Sequence, residues 1–252
     1  MQQQEYQRKS RCNPYKRRFQ PRIRRKRTVI PAKLPYFPRV QSSWVGDKMN
    51  ANPSRGHLKF WLQNCNGIKI RDDSNTNHTF TQMHEYNVDY FSYTEHNVNI
   101  SNPFAVSKLH RIFKTRYKSG RMTMTNTPEF PTSATFKPGG VFSGFDSSLD
   151  SRFISSEQDP LGRWHCHTFR GKTKDIKIYT VYRVHRKSDG TSGLTTAWMQ
   201  QRSILRKKNV LTNQRDDVIN NLCTHIRKDL DSNKSVILMG DFNESIDSKE
   251  KN

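Results

Sequence analysis

An apolar run near the end of the chain, Val236-Ile-Leu-Met-Gly-Asp-Phe-Asn243, delivers an aspartate and an asparagine two residues apart. Side chains two apart share one face of a strand, so Asp241 and Asn243 are read as pointing together while Phe242 faces away. An acid with a carboxamide neighbour can hold a water and a phosphate oxygen at once. Glu95 follows Tyr90-Phe-Ser-Tyr-Thr94, aromatic surroundings that would partly desolvate its carboxylate. Such a group suits Mg²⁺ (or Mn²⁺), a cation that takes one or two protein carboxylates and fills its octahedron with water and phosphate oxygens. Asn64 could orient either carboxylate, and Tyr182 offers a hydroxyl donor to a phosphate. Taken singly, each is an ordinary turn residue more often than a site. The ordered set points to phosphate chemistry.

Each of these residues closes a predicted element. Leu58–Gln63 reads as a strand running into Asn64-Cys-Asn-Gly67, and Val88–Thr94 as a strand ending on Glu95. Arg121–Thr127 alternates, with Met122, Met124 and Asn126 on one side. Gly139-Gly140 turns the chain into Val141–Phe145, and Arg163–Arg170 with Lys174–Tyr182 forms a hairpin. The strand Ser235–Met239 follows. Helices are predicted over Thr79–Tyr86, over Phe104–Tyr117 behind Pro103, over Thr196–Lys207 and over Arg215–Asp231. In the last, Val218, Leu222, Ile226 and Leu230 draw an apolar stripe. Strands mixed with helices argue for a layered α/β domain, where strand ends converge on one rim at which ligands bind.

The domain is expected over residues 57–252, behind a basic, Pro-rich arm over residues 1–56. The net charge is +22, of which the first 27 residues carry +10. Their densest run, Arg22-Ile-Arg-Arg-Lys-Arg27, places Arg22, Arg24, Arg25, Lys26 and Arg27 as nucleic-acid contacts or a nuclear address; a solvated tail is the plain alternative. A polyanionic partner follows, nucleic acid before an anionic membrane surface, with DNA favoured. No protein partner can be inferred. The four cysteines form no CxxC, and neither an apolar stretch long enough to span a bilayer nor a secretory h-region is present. An intracellular protein is expected, in the nucleus before the cytoplasm, and not a secreted one.

Three lesser groups compete with plain structural readings. His165 and His167 share a strand face as a metal pair, but zinc needs three or four ligands, which favours a structural role. Arg202, Arg206, Lys207 and Lys208 could meet phosphates or simply favour a helix C-terminus. Asp72-Asp73 and Asp216-Asp217 read as solvated or helix-start acids.

In order, Leu62-Gln-Asn-Cys-Asn-Gly-Ile68, Tyr93-Thr-Glu95, Gly139-Gly-Val141, Gly162-Arg163, Val181-Tyr182 and Gly240-Asp-Phe-Asn243 resemble the endonuclease/exonuclease/phosphatase family. The resemblance spans roughly residues 57–247 and implies a two-sheet α/β sandwich of the DNase I-like kind. It also implies a magnesium-dependent phosphodiester hydrolase, with an endonuclease of mobile-element type among the family's members. By position, Asn64 matches the first-strand Asn, Glu95 the metal-binding Glu and Tyr182 a phosphate-contacting Tyr. Asp241 matches the Asp that aligns or deprotonates water, and Asn243 the Asn at the scissile phosphate. His96-Asn97 and Arg183-Val-His185 depart from the family pattern. The family also continues past this point to an Asp-His pair, whereas the sequence stops at Asn252. A C-terminally incomplete fold and half a site are therefore expected. The rivals are a catalytically dead nucleic-acid-binding protein and a phosphatase acting on inositol phosphate or lipid headgroups.

Overall fold

Apolar residues on alternate positions of the strands set up two helix–sheet interfaces and one sheet–sheet interface. The computed structural model describes residues 57–70, 73–128, 136–185, 193 and 195–244. The arm over residues 1–56, with Arg22, Arg24, Arg25, Lys26 and Arg27, lies outside the described residues, as do residues 245–252. The described elements are β1 (Phe60–Asn64), α1 (Asp73–Glu85), β2 (Tyr90–Thr94), α2 (Pro103–Arg116), β3 (Arg121–Thr125), β4 (Val141–Phe145), α3 (Ser147–Asp150), β5 (Phe153–Gln158), β6 (Trp164–Phe169), β7 (Ile176–Tyr182), α4 (Ala197–Lys207), α5 (Gln214–Asp231) and β8 (Ser235–Asp241).

They form two four-stranded sheets, ordered β1-β2-β4-β3 and β5-β6-β7-β8. In each sheet one outer pair is parallel, β1 with β2 and β7 with β8, and the other pairs are antiparallel. This is the two-sheet α/β sandwich that the resemblance implied.

The period of two in β2 explains the layering. Phe91 and Tyr93 face outward and pack with Phe80 and Met83 of α1 and with Leu109 and Phe113 of α2. Tyr90 faces the second sheet and packs with Phe145, Phe169 and Ile178. Asn102 caps α2 by accepting from the Ala105 amide at 3.1 Å, with Pro103 pre-set at the first turn. Such a cap stabilises a helix by about 1 kcal/mol. On the opposite side, Val218 and Leu222 of α5 pack on Trp164, Cys166, Tyr179 and Val181. Leu230, placed on the same stripe by its spacing, is 54% exposed, so the stripe runs off the sheet before the helix ends.

Between the sheets lies a hydroxyl and imidazole layer rather than a purely apolar one. Ser92 meets Ser143 at 2.6 Å and Thr180 at 2.9 Å, and the ring of His165 meets Ser143 at 2.6 Å. His167 bridges Tyr90 at 2.8 Å and Thr123 at 2.9 Å. Both histidines thus tie one sheet to the other, which is the structural reading of the Trp164–His167 run. Every bond in this layer is worth only about 1 kcal/mol net, but leaving a buried partner unmet costs more.

Four elements differ from the sequence reading. α1 begins six residues before the predicted Thr79, and α3 and β5 were not anticipated. The strand carrying Asp241 does not stop at Met239 but continues through Gly240 in register with Val181. A side chain at Gly240 would place its Cβ 2.9 Å from that of Val181, so only glycine lets β8 run this close to β7.

Candidate active site at the strand ends

β1, β2, β7 and β8 all finish at one rim, and their last residues meet across the gap between the sheets. Asn64, the final residue of β1, donates from Nδ2 to Asp241 Oδ2 at 2.7 Å. Its own Oδ1 accepts from the Asn66 amide at 3.0 Å, so the carboxamide is held at both ends. Asp241 closes β8, and its second oxygen, Oδ1, accepts from the Asn243 amide at 3.0 Å. The carboxylate is thereby fixed by one donor from the end of β1 and one from the turn after β8.

The second pair crosses the same gap. The Tyr182 hydroxyl at the end of β7 donates to Glu95 Oε1 just beyond β2. Burial, with the carboxylates of Glu95 and Asp241 close by, raises the phenol well above its usual range, so it stays a donor. Among the described residues the other oxygen of Glu95 has no hydrogen-bond partner. Glu95 sits in the left-handed region at φ 54, which swings its side chain off the strand.

That backbone turn has a cause in the next two residues. His96 is fully buried: its Nδ1 accepts from the Val98 amide at 3.0 Å and its Nε2–H donates to the Thr125 carbonyl at 2.9 Å. Burial pushes this imidazole down to about 4, so it is neutral and its tautomer is set by its two partners. Asn97 accepts from the Gly139 amide at 2.7 Å, and the Glu95 amide donates to Gly140 at 3.0 Å. Gly140, at φ 87, lies directly against the His96 ring, and a Cβ there would come within 2.6 Å of the Thr125 carbonyl. His96-Asn97, read from sequence as a departure, is the strut beneath Glu95.

Asn243 corrects the sequence reading. It is not on the strand face shared with Asp241 but beyond it, at φ 49, in a turn closed by the Asp241 side chain. Its Nδ2 donates to the Arg183 carbonyl at 2.7 Å. Strand alternation ends at Asp241, so the two-residue spacing no longer sets direction. Arg215 and Glu244, neither singled out from sequence, hold this turn. The Arg215 guanidinium donates to the Val184 carbonyl at 2.5 Å, to the Asn243 carbonyl at 3.1 Å and to the Glu244 carboxylate. Arg183 reaches Glu244 at 2.7 Å as well. The Gly162-Arg163 element is structural: Arg163 is buried in a two-bond pairing with Asp159, at 2.7 and 2.9 Å, and meets Asp217 at 2.5 Å.

The donor set fits a hard divalent cation. Glu95 offers a half-buried carboxylate oxygen at the lip of a cleft of about 220 Å³ lined by Asn97, Gly139, Tyr182, His185 and Trp198 among others. A magnesium ion needs only one or two such protein oxygens. Among the described residues no cluster of three His, Cys, Asp or Glu forms a fuller cage, and no helix is long and apolar enough to cross a membrane.

A two-sheet α/β sandwich with Asn64, Glu95, Tyr182 and Asp241 gathered at one rim is a DNase I-like architecture with a polar strand-end site. No family model matches the chain, and no curated protein does. Among solved structures it is similar to a humanized D. rerio TDP2, at 12% identity and TM-score 0.42, over 75% of this chain and 63% of that one. It is similar to an endonuclease/exonuclease/phosphatase family protein from Leptotrichia buccalis, at 12% identity and TM-score 0.38, over 60% and 63% of the two chains. It is also similar to the AP endonuclease LMAP from Leishmania major, at 13% identity and TM-score 0.41, over 58% and 45%. In each case the match spans less than two thirds of the other chain.

Proposed function

We propose that this chain is a divalent-metal-dependent phosphodiester hydrolase acting on nucleic acid, with DNA the favoured substrate. The observation that carries the reading is the pair of cross-sheet hydrogen bonds, Asn64 to Asp241 and Tyr182 to Glu95. They join four chemically apt side chains from four separate strand ends, which turn-forming preference alone does not require.

In this reading Asp241 aligns and deprotonates the attacking water. Asn64 and the Asn243 amide keep its carboxylate aimed. Glu95 holds Mg²⁺ or Mn²⁺, and the Tyr182 hydroxyl fixes the Glu95 carboxylate in place. When bound, the cation supplies charge neutralisation for the phosphorane-like transition state. Asn243, with one amide hydrogen committed to Arg183, keeps the other for a phosphate oxygen. Residues 1–56 serve as a basic arm on the same substrate, with Arg22, Arg24, Arg25, Lys26 and Arg27 meeting phosphates and releasing counterions.

The test is nicking of supercoiled plasmid with Mg²⁺ by the parent, Asp241→Ala and Glu95→Ala. Cleavage by the parent that disappears in both variants and with EDTA supports the reading. A folded parent that binds DNA but does not cut it makes this a binding protein. Cleavage equal in all three removes the site from these residues.

A further inference from the structure

Trp198 stands in the wall of the cleft beside Glu95. Thr196 caps α4 by accepting from the Met199 amide, which starts the helix at the cleft lip, with Ala197 and Trp198 in its wall. Trp198 also lines a second cleft of about 320 Å³, between α4 and the turn into α5. Arg202, Arg206, Thr212 and Asn213 line that second cleft too, and no acidic residue lines it among the described residues. Residues 198, 202 and 206 recur every fourth position, so they share one helix face. Trp198 and Arg206 are roughly 12 Å apart along the axis. Cations near a helix C-terminus are favoured by its dipole, which accounts for Arg206, Lys207 and Lys208. Arg202 and Arg206 stand one turn apart on one helix face, along a cleft whose lining residue Trp198 is shared with the candidate active site.

We propose that this second cleft binds the sugar–phosphate backbone of the nucleic-acid strand whose scissile phosphate lies at Glu95 and Asp241. Arg202 and Arg206 contact phosphates away from the cut, with Trp198 as the wall between the two stations. The proposal rests on the hydrolase reading for its substrate class, yet its own readout is binding.

The experiment compares the full chain with Arg202→Glu/Arg206→Glu. Binding of a fluorescein-labelled single-stranded oligonucleotide is followed by anisotropy across a salt series. Hydrolysis of bis(p-nitrophenyl) phosphate, a diester too small to reach the second cleft, is measured alongside. The arm is present in both proteins, so the difference isolates the cleft. Affinity is expected to fall about tenfold or more. The slope of log affinity against log salt should flatten by about 1.4, two contacts at ~0.7 each on a single strand. Hydrolysis of the small diester stays at the parent's level. Unchanged affinity and slope overturn the proposal. If the double variant does not fold, Arg206→Gln at its exposed position should flatten the slope by about 0.7, and an unchanged slope there is equally fatal. A parent that does not hydrolyse the small diester refutes the catalytic reading while leaving the binding result to judge the cleft.

Discussion

Asn64 and Asp241 stand on different sheets, 177 residues apart in sequence, and are joined by a 2.7 Å hydrogen bond at the one rim where four strands end. The bond is exposed and contributes little to stability, since an exposed polar contact is worth well under about 1 kcal/mol. Its effect is on direction: it sets which way the Asp241 carboxylate points. Asp241→Ala should therefore lower Mg²⁺-dependent nicking by about 100- to 10,000-fold, the range of a lost general base. Asn64→Ala should lower it less, about tenfold, through the turnover rate rather than substrate affinity. Melting temperatures of both variants should match the parent. A large drop on heating for Asn64→Ala would recast this bond as structural.

Tyr182→Phe separates packing from proton donation. The ring still fills the cluster with Val141, Val184, Ala197 and Trp198, while Glu95 loses the donor on Oε1. A partner behind a metal-binding carboxylate typically affects metal affinity by about 10- to 100-fold. The Mg²⁺ concentration for half-maximal nicking should rise within that range, with recovery of the rate at saturating Mg²⁺. A fall in rate that no Mg²⁺ concentration repairs would place the hydroxyl on the substrate instead.

Most of this site could be read from single strands, and what escaped depends on contacts distant in sequence. Asn64, Glu95, Tyr182 and Asp241 each follow a short apolar or aromatic run, and a strand that buries one end marks its own terminus. The direction of Asn243 was misread because alternation was carried two residues past the strand, into a turn made by the Asp241 side chain. Arg215 and Glu244 escaped because their pairing links a helix start to a loop, which no local pattern announces. β5 is an edge strand whose residues are mostly exposed, so its sequence, Phe-Ile-Ser-Ser-Glu-Gln, lacks the apolar alternation of an inner strand. α1 starts with seven polar residues, and its apolar core residues Phe80 and Met83 come only later, so its beginning has no apolar signal.

Gly140→Ala tests the support beneath Glu95. The position needs φ 87, and the added methyl would strike the His96 ring and come within 2.6 Å of the Thr125 carbonyl. Strain of this kind costs on the order of 1–3 kcal/mol per residue before any rearrangement. The Glu95 amide donates to Gly140, so relief of the clash moves Glu95 as well. Urea unfolding should show the loss in stability, and the variant should need more Mg²⁺ for nicking. Full activity and stability would mean that the loop accommodates a side chain without shifting its neighbours.

The buried imidazoles make the fold acid-sensitive, and the sign follows from which state binds protons. Burial pushes His96 down to about 4 and His167 to about 3, against the usual 6.5 of an exposed histidine. Below pH 6.5 the unfolded chain takes up protons that the folded chain refuses, so stability is present above that value and lost as pH falls toward the folded values. Between pH 6.5 and 5 the loss should be about 2 kcal/mol for each of the two rings. His167 bridges Tyr90 and Thr123 across the sheets, so its protonation also breaks an inter-sheet tie. Urea midpoints measured at pH 7, 6 and 5 should fall steadily. His167→Gln, which keeps hydrogen-bonding atoms but cannot titrate, should be less stable than the parent at pH 7 yet lose less between pH 7 and 5. Parallel pH profiles for parent and variant would mean that His167 is already accessible to protons in the native state.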